Sequence, residues 1–160
     1  MRRLVQIVGA ALLSASLVAG CGALPRDTEG TYNRAQDGTL VVGVSEHEPW
    51  TSVDDRSGEV TGSEADLIRG FADSINADVE WKVAPESVLA GWMDKQEIDV
   101  MIGGLTKSSP WSKHIALTRP YTTVISEDGK KEKMVMGVPM GENKLMVELE
   151  RYLAREGGEI

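Results

Sequence analysis

Thr122-Thr-Val-Ile-Ser-Glu-Asp-Gly-Lys-Lys-Glu-Lys-Met-Val-Met-Gly-Val-Pro139 decides how this chain closes. Tyr121 to Ser126 is β-branched, Asp128-Gly129 supplies turn chemistry, and Met134 to Val138 returns as an apolar run. Two such runs across an Asp-Gly turn predict a β-hairpin. A helix expected over Glu142 to Arg155 follows, with Leu145, Leu149, Tyr152 and Leu153 at i, i+4, i+7, i+8, stopping at Gly157-Gly158.

Upstream, Leu40-Val-Val-Gly-Val44 and Ile98-Asp-Val-Met-Ile102 are continuous apolar runs of the kind that form strands buried on both faces. Between them, Ile68, Phe71, Ala72 and Ile75 share one face of a helix expected from Ser63 to Asn76, with Ser63 as its N-cap. Val79, Trp81 and Val83 alternate as a strand, which makes Trp81 a core residue. Pro85 opens a second helix with Leu89, Trp92 and Met93 as its apolar stripe. Ser45 to Gly62 reads as loop, and Pro110 to Ile115 as one helical turn. The order β-α-β-α-β predicts parallel strands with right-handed crossovers. The fold class is therefore α/β: a mostly parallel sheet with flanking helices and one antiparallel hairpin strand.

At the N-terminus, Met1-Arg-Arg3 precedes an apolar segment from Leu4 to Ala19, then Leu17-Val-Ala-Gly-Cys21. An apolar core this short, after two arginines and before small residues, is a secretion signal and not a membrane span. Cys21 is the only cysteine, so no intramolecular disulfide can form. The polar stretch from Gly22 to Asp37 reads as a tether. This divides the chain into a signal peptide over 1–20, a flexible tether over 21–37 and one domain over 38–160. Removal of residues 1–20 takes away Arg2 and Arg3 and no acids, which moves the formal charge from −8 to −10. Such a surface repels a polyanion, and no basic stripe matches phosphates, so nucleic acid is excluded as a partner.

Three segments together resemble the type II, family 3 periplasmic solute-binding proteins, the amino-acid-binding type that serves ABC transporters. They are Gly38 to Val44 with Glu48-Pro-Trp50, then Gly62 to Leu67, then Glu97 to Thr106 with Arg119-Pro-Tyr121. The resemblance implies a first lobe that the chain leaves just after Tyr121 and re-enters on Met134 to Pro139. Departure and return are only a turn apart here, so a single lobe is expected, with the hairpin sealing its sheet. Leu17 to Cys21 likewise resembles a bacterial lipobox, implying that Cys21 carries the lipid. Gly22 in place of an aspartate favours the outer membrane of a Gram-negative envelope.

The resemblance places half of a ligand site on this lobe: Glu46, Glu48 and Trp50 after the first strand, Gly103, Gly104 and Thr106 after the third, and Trp111 just beyond. Relatives use an arginine near the place of Trp111 to clamp a ligand carboxylate bidentately. Trp111 cannot do so, and Lys107 and Lys113 nearby lack the planar fork. Trp50 and Trp111 read equally as cleft-face contacts or peripheral core, Trp92 as core, and Thr106 as a ligand donor or a loop cap. His47 and His114 lack zinc spacing, the cysteine is the anchor, and no spacing singles out a catalytic carboxylate pair. No enzyme, metal or cofactor is expected.

Two functions follow as expectations. The first is a lipid-anchored, non-enzymatic periplasmic module that works with a membrane transporter or envelope protein, since an open half-site buries little of a small ligand. The second is an independent receptor for a small polar or amino-acid-like solute, as a monomer or a dimer that recreates the cleft.

Overall fold

The structure, a computed structural model, describes residues 25–126 and 128–157. The signal segment and Cys21 lie outside these residues. Helix α1 (Thr31–Ala35) leads into strand β1 (Thr39–Val44), the short strands β2 (Ser52–Val53) and β3 (Val60–Thr61), helix α2 (Ser63–Ser74), β4 (Asp78–Val83), α3 (Glu86–Asp94) and β5 (Val100–Ile102). A 3-10 turn (Pro110–Lys113), β6 (Ala116–Leu117), β7 (Thr122–Ile125), β8 (Lys131–Met134), β9 (Gly137–Val138) and helix α4 (Asn143–Gly157) complete it.

The main sheet has the order β4-β1-β5-β9-β6. β1 is parallel to both β4 and β5, while β9 runs antiparallel to β5 and β6. The alternation of side chains along β1 and β5 divides the core in two. Leu40, Val42, Val44, Val100 and Ile102 face a cluster with Ile68, Phe71, Leu145 and Leu149, from α2 and α4. Met101 faces the opposite cluster with Leu89, Met93, Ile98 and Ile115, against which Val41 packs. Gly43 makes room there: a Cβ would stand 2.5 Å from Ile98 Cδ1 and 2.9 Å from Leu89 Cδ2, so these side chains would have to shift. The central strands are thus covered on both faces, as their unbroken apolar runs predict.

Four expectations are corrected. The hairpin partner of β7 is Lys131–Met134, not Met134 to Val138, with Thr122 opposite Met134 and Ile125 opposite Lys131. Residues 131–138 form one extended run whose first half pairs with β7 and whose second half enters the main sheet. A free hairpin has a solvated face and tolerates Lys131 and Lys133, whereas the fully buried Val135, Met136 and Val138 belong to the core. Ser63 is the first helical residue of α2 and makes no side-chain cap; the N-cap position is Gly62 at φ 115. Trp81 is only half-buried because β4 is an edge strand, and the Arg69 guanidinium lies 5.4 Å from its ring centre.

The tether is also shorter than expected, because residues from Asp27 onward are built into the lobe. Asp27 Oδ1 accepts from the Lys144 and Leu145 N–H groups at 2.6 and 2.9 Å, capping α4 in trans. Its Oδ2 accepts from Tyr32 N–H at 2.7 Å. The buried Glu142 carboxylate accepts in return from the Glu29 and Thr31 N–H groups at 2.9 and 3.0 Å. Arg34 reaches the buried Asp99, donating at 2.6 and 3.4 Å. Since β9 runs opposite to β5, Glu142 lies at the amino-end edge of the parallel strands. The N-terminal segment therefore joins the lobe at the edge away from the loops that follow β1 and β5.

Candidate functional site

Ser45 to Trp50 and Gly103 to Thr106 leave the carboxyl ends of adjacent parallel strands, the edge at which open α/β sheets hold ligands. Ser45 N–H donates to the Ile102 carbonyl at 3.0 Å, and the His47 ring nitrogen Nδ1 lies 3.1 Å from the Gly103 carbonyl. Thr51 Oγ1 donates to the Ser45 carbonyl and accepts from His47 N–H, at 2.6 and 3.0 Å. The first two bonds hold the first loop against the second, and the Thr51 bonds close the first loop on itself. Gly104, at φ 70, allows the closest approach: a Cβ there would stand 2.6 Å from Trp50 Cδ1 and 2.7 Å from His47 Nδ1.

Beneath both loops lies Glu64, fully buried in the first turn of α2. Its Oε2 accepts from the Gly103 and Gly104 N–H groups at 2.8 and 3.0 Å, and its Oε1 accepts from Tyr121 Oη–H at 2.6 Å. Burial pushes the Glu64 carboxyl above its ordinary value, against the opposing pull of Gly104, Tyr121, Gly103 and His47. Burial, with the neighbouring Glu64, also pushes the Tyr121 phenol up. Two segments distant in sequence, Gly103-Gly104 and Tyr121, are thereby locked to the α2 carboxylate.

Sequence reasoning missed Glu64 and Tyr121 as members of this site. A glutamate in a first helical turn ordinarily reads as a surface residue favoured by the helix dipole. The available signal was its phase, four residues before Ile68 and so on the apolar face of α2.

Of the expected residues, the structure brings Trp50, Gly103 and Gly104 into contact distance around this network. Glu46 and Glu48 lie on the same loop, exposed, accepting from Val53 N–H at 3.4 Å and Ser52 Oγ–H at 3.3 Å. Thr106 pairs its hydroxyl with Ser108 at 2.9 Å and bridges Met134, so the hairpin docks beside it. Trp111 stands apart. Its Nε1–H donates to Glu86 Oε2 at 2.7 Å and its ring packs against the second core, whereas Trp50 packs against the first. Trp92 is half-buried against the second core. A depression of about 500 Å³ beside Trp50 is lined by Leu67, Tyr121 and Tyr152 among others.

Comparisons with known proteins agree with this architecture. The L-cystine-binding protein TcyJ of Escherichia coli (strain K12) is 27% identical over 147 residues, covering 82% of this chain and 55% of that protein. The chain thus spans about half the length of the curated relatives it matches. A single-substitution variant of the arginine-bound form of domain 1 from TmArgBP superposes with TM-score 0.69 at 22% identity, covering 81% of this chain and 99% of that one. An ancestral cationic amino acid solute-binding protein gives TM-score 0.66 at 13% identity, covering 80% and 94%. At such identities the two superpositions speak for the fold. The sequence model for bacterial extracellular solute-binding proteins, family 3, matches residues 40–156, and the chain belongs to that family.

Proposed function

We propose that this chain is a non-enzymatic solute receptor whose one lobe takes a small polar or amino-acid-like solute at the carboxyl edge of β1 and β5. Glu46, Glu48, Trp50 and Thr106 form the contact face over the Gly103-Gly104 turn, with Trp111 at its margin. The observation that carries this reading is the match to 99% of a lone first domain described as arginine-bound. One such lobe can hold an amino acid, which removes the main objection to a half-site. The reading in which an envelope protein is the sole partner thereby becomes the second choice. It retains one role: a transporter subunit or a second copy supplies the facing wall.

Lipid attachment through Cys21 places the receptor on the periplasmic side of the envelope, and because the N-terminal segment joins the opposite edge of the sheet, the solute face stays clear of the anchor. Acyl labelling that persists in Cys21→Ala refutes the attachment. The receptor reading is tested by thermal denaturation of the purified protein with each common amino acid and with L-cystine. A solute at about 100 times its Kd stabilises the folded state by about 2.7 kcal/mol. No shift with any amino acid at millimolar concentration refutes its amino-acid-like part.

A further inference from the structure

Four of the chain's eight lysines line a single recess. Lys107 reaches it from the loop after β5, Lys130 from the turn before β8, and Lys131 and Lys133 from β8 itself. The backbone fixes their meeting, because Lys107 N–H donates to the Lys133 carbonyl at 2.9 Å while Thr106 bridges Met134. Lys131 and Lys133 are exposed on one face of β8, with Glu132 half-buried between them. Lys130 is paired with Asp128. Among the described residues, Lys107, Lys131 and Lys133 take part in no salt bridge.

In a chain of net charge −8, this is a local reversal of sign. Neighbouring ammonium groups repel one another, and an anion shared between them removes that cost. The recess measures about 430 Å³ and is also lined by Thr106 and Ser108, whose hydroxyls pair with each other at 2.9 Å. It adjoins Thr106, at the edge of the solute face. Trp111 is committed to Glu86.

We infer that the recess between the Thr106–Ser108 loop and β8 is an anion subsite that takes the carboxylate or phosphate of a small solute. The inference rests on the solute-receptor reading. Lysine offers point charges and not a planar fork, so the subsite selects for charge more than for geometry. Glu132 in its lining opposes the anion and limits the affinity.

Calorimetric titration of the full-length protein at low salt, with succinate, L-glutamate, inorganic phosphate, L-leucine and L-lysine, tests this. At least one of the three anions binds, about tenfold more weakly when both Lys131→Gln and Lys133→Gln are present, and more weakly as salt is raised. The urea midpoint of that double variant stays unchanged, since both side chains are exposed. Two results overturn the subsite: no anion binding at millimolar concentration, or anion binding untouched by the double variant. Leucine or lysine binding without any anion binding overturns the subsite and leaves the receptor reading standing. Phosphate binding that the double variant weakens, with no amino acid bound, retains the subsite for a small polar anion and overturns only the amino-acid-like part of the receptor reading.

Discussion

Replacing Glu64 tests the reasoning about the site most directly. In Glu64→Ala, the Gly103 and Gly104 N–H groups and the Tyr121 hydroxyl all lose a buried acceptor. Leaving a buried polar group unpaired costs about 1–3 kcal/mol. Water entering the gap and the removal of a buried carboxylate offset part of this, so the expected loss is about 3–5 kcal/mol, the range for breaking a buried charged network from one side. Glu64→Gln keeps a carbonyl oxygen for the two glycine N–H groups and is expected to cost about 1–2 kcal/mol. The pH dependence adds a signed test. Burial raises the Glu64 carboxyl above 4.5, so the folded state holds its proton more tightly than the unfolded state does. Wild-type stability therefore falls relative to Glu64→Gln as pH rises from about 4.5 through the raised folded value, then levels off. Urea denaturation followed by tryptophan fluorescence, at a series of pH values, reads both quantities. A wild type that gains on Glu64→Gln across that window would mean that hydrogen bonding outweighs burial, and an Ala variant within 1 kcal/mol of wild type, below the range given above, would refute the network's role.

The remaining predictions concern the loops and the N-terminal segment. Gly104→Ala places a methyl group against Trp50 and His47 at φ 70 and is expected to cost about 2–4 kcal/mol with altered Trp50 fluorescence, whereas Gly129→Ala, at φ 78 with nothing within 4 Å, costs about 1 kcal/mol. Asp27→Ala removes the trans cap of α4 and lowers stability by about 1–2 kcal/mol by urea denaturation. Burial raises the Glu142 carboxyl, but hydrogen bonds from Thr31, Glu29 and Thr28 outweigh it and leave the group below its ordinary value. The stability Glu142 contributes is therefore present above about pH 4.5 and lost as pH falls through the depressed folded value; Glu142→Gln flattens that acid limb. Trp111→Phe removes the bond to Glu86 and is expected to cost about 1 kcal/mol in thermal denaturation, with affinity for any bound amino acid changing less than twofold.

The hairpin shows what local sequence can and cannot decide. Its turn was legible because Asp128-Gly129 needs no tertiary information to bend the chain, and Gly129 takes the expected positive φ of 78. The identity of its second strand was not. Met134 to Val138 carries the apolar signal, yet that signal marks burial, and burial belongs to the main sheet. Strand β6, with two residues, is too short to leave a periodic trace, and β2 and β3 exist only because the middle of the Ser45–Gly62 stretch, Ser52–Val53, folds back on Val60–Thr61.

Within the site, the family resemblance carried by the sequence placed Trp50, Gly103 and Gly104 on loops of one face, and buried parallel strands do deliver their successors to one edge. The sequence by itself determined the two-sided core, through unbroken apolar runs in β1 and β5. Only the tertiary structure showed that the Gly103 and Gly104 N–H groups are taken by Glu64, that Trp111 is held by Glu86, and that Asp27 and Glu142 cap one another's helices. Each of these is a contact between polar groups at least 20 residues apart. Periodicity reports which face of an element is buried; it carries no information about which distant acceptor will satisfy a given donor, because that depends on where the whole chain has folded.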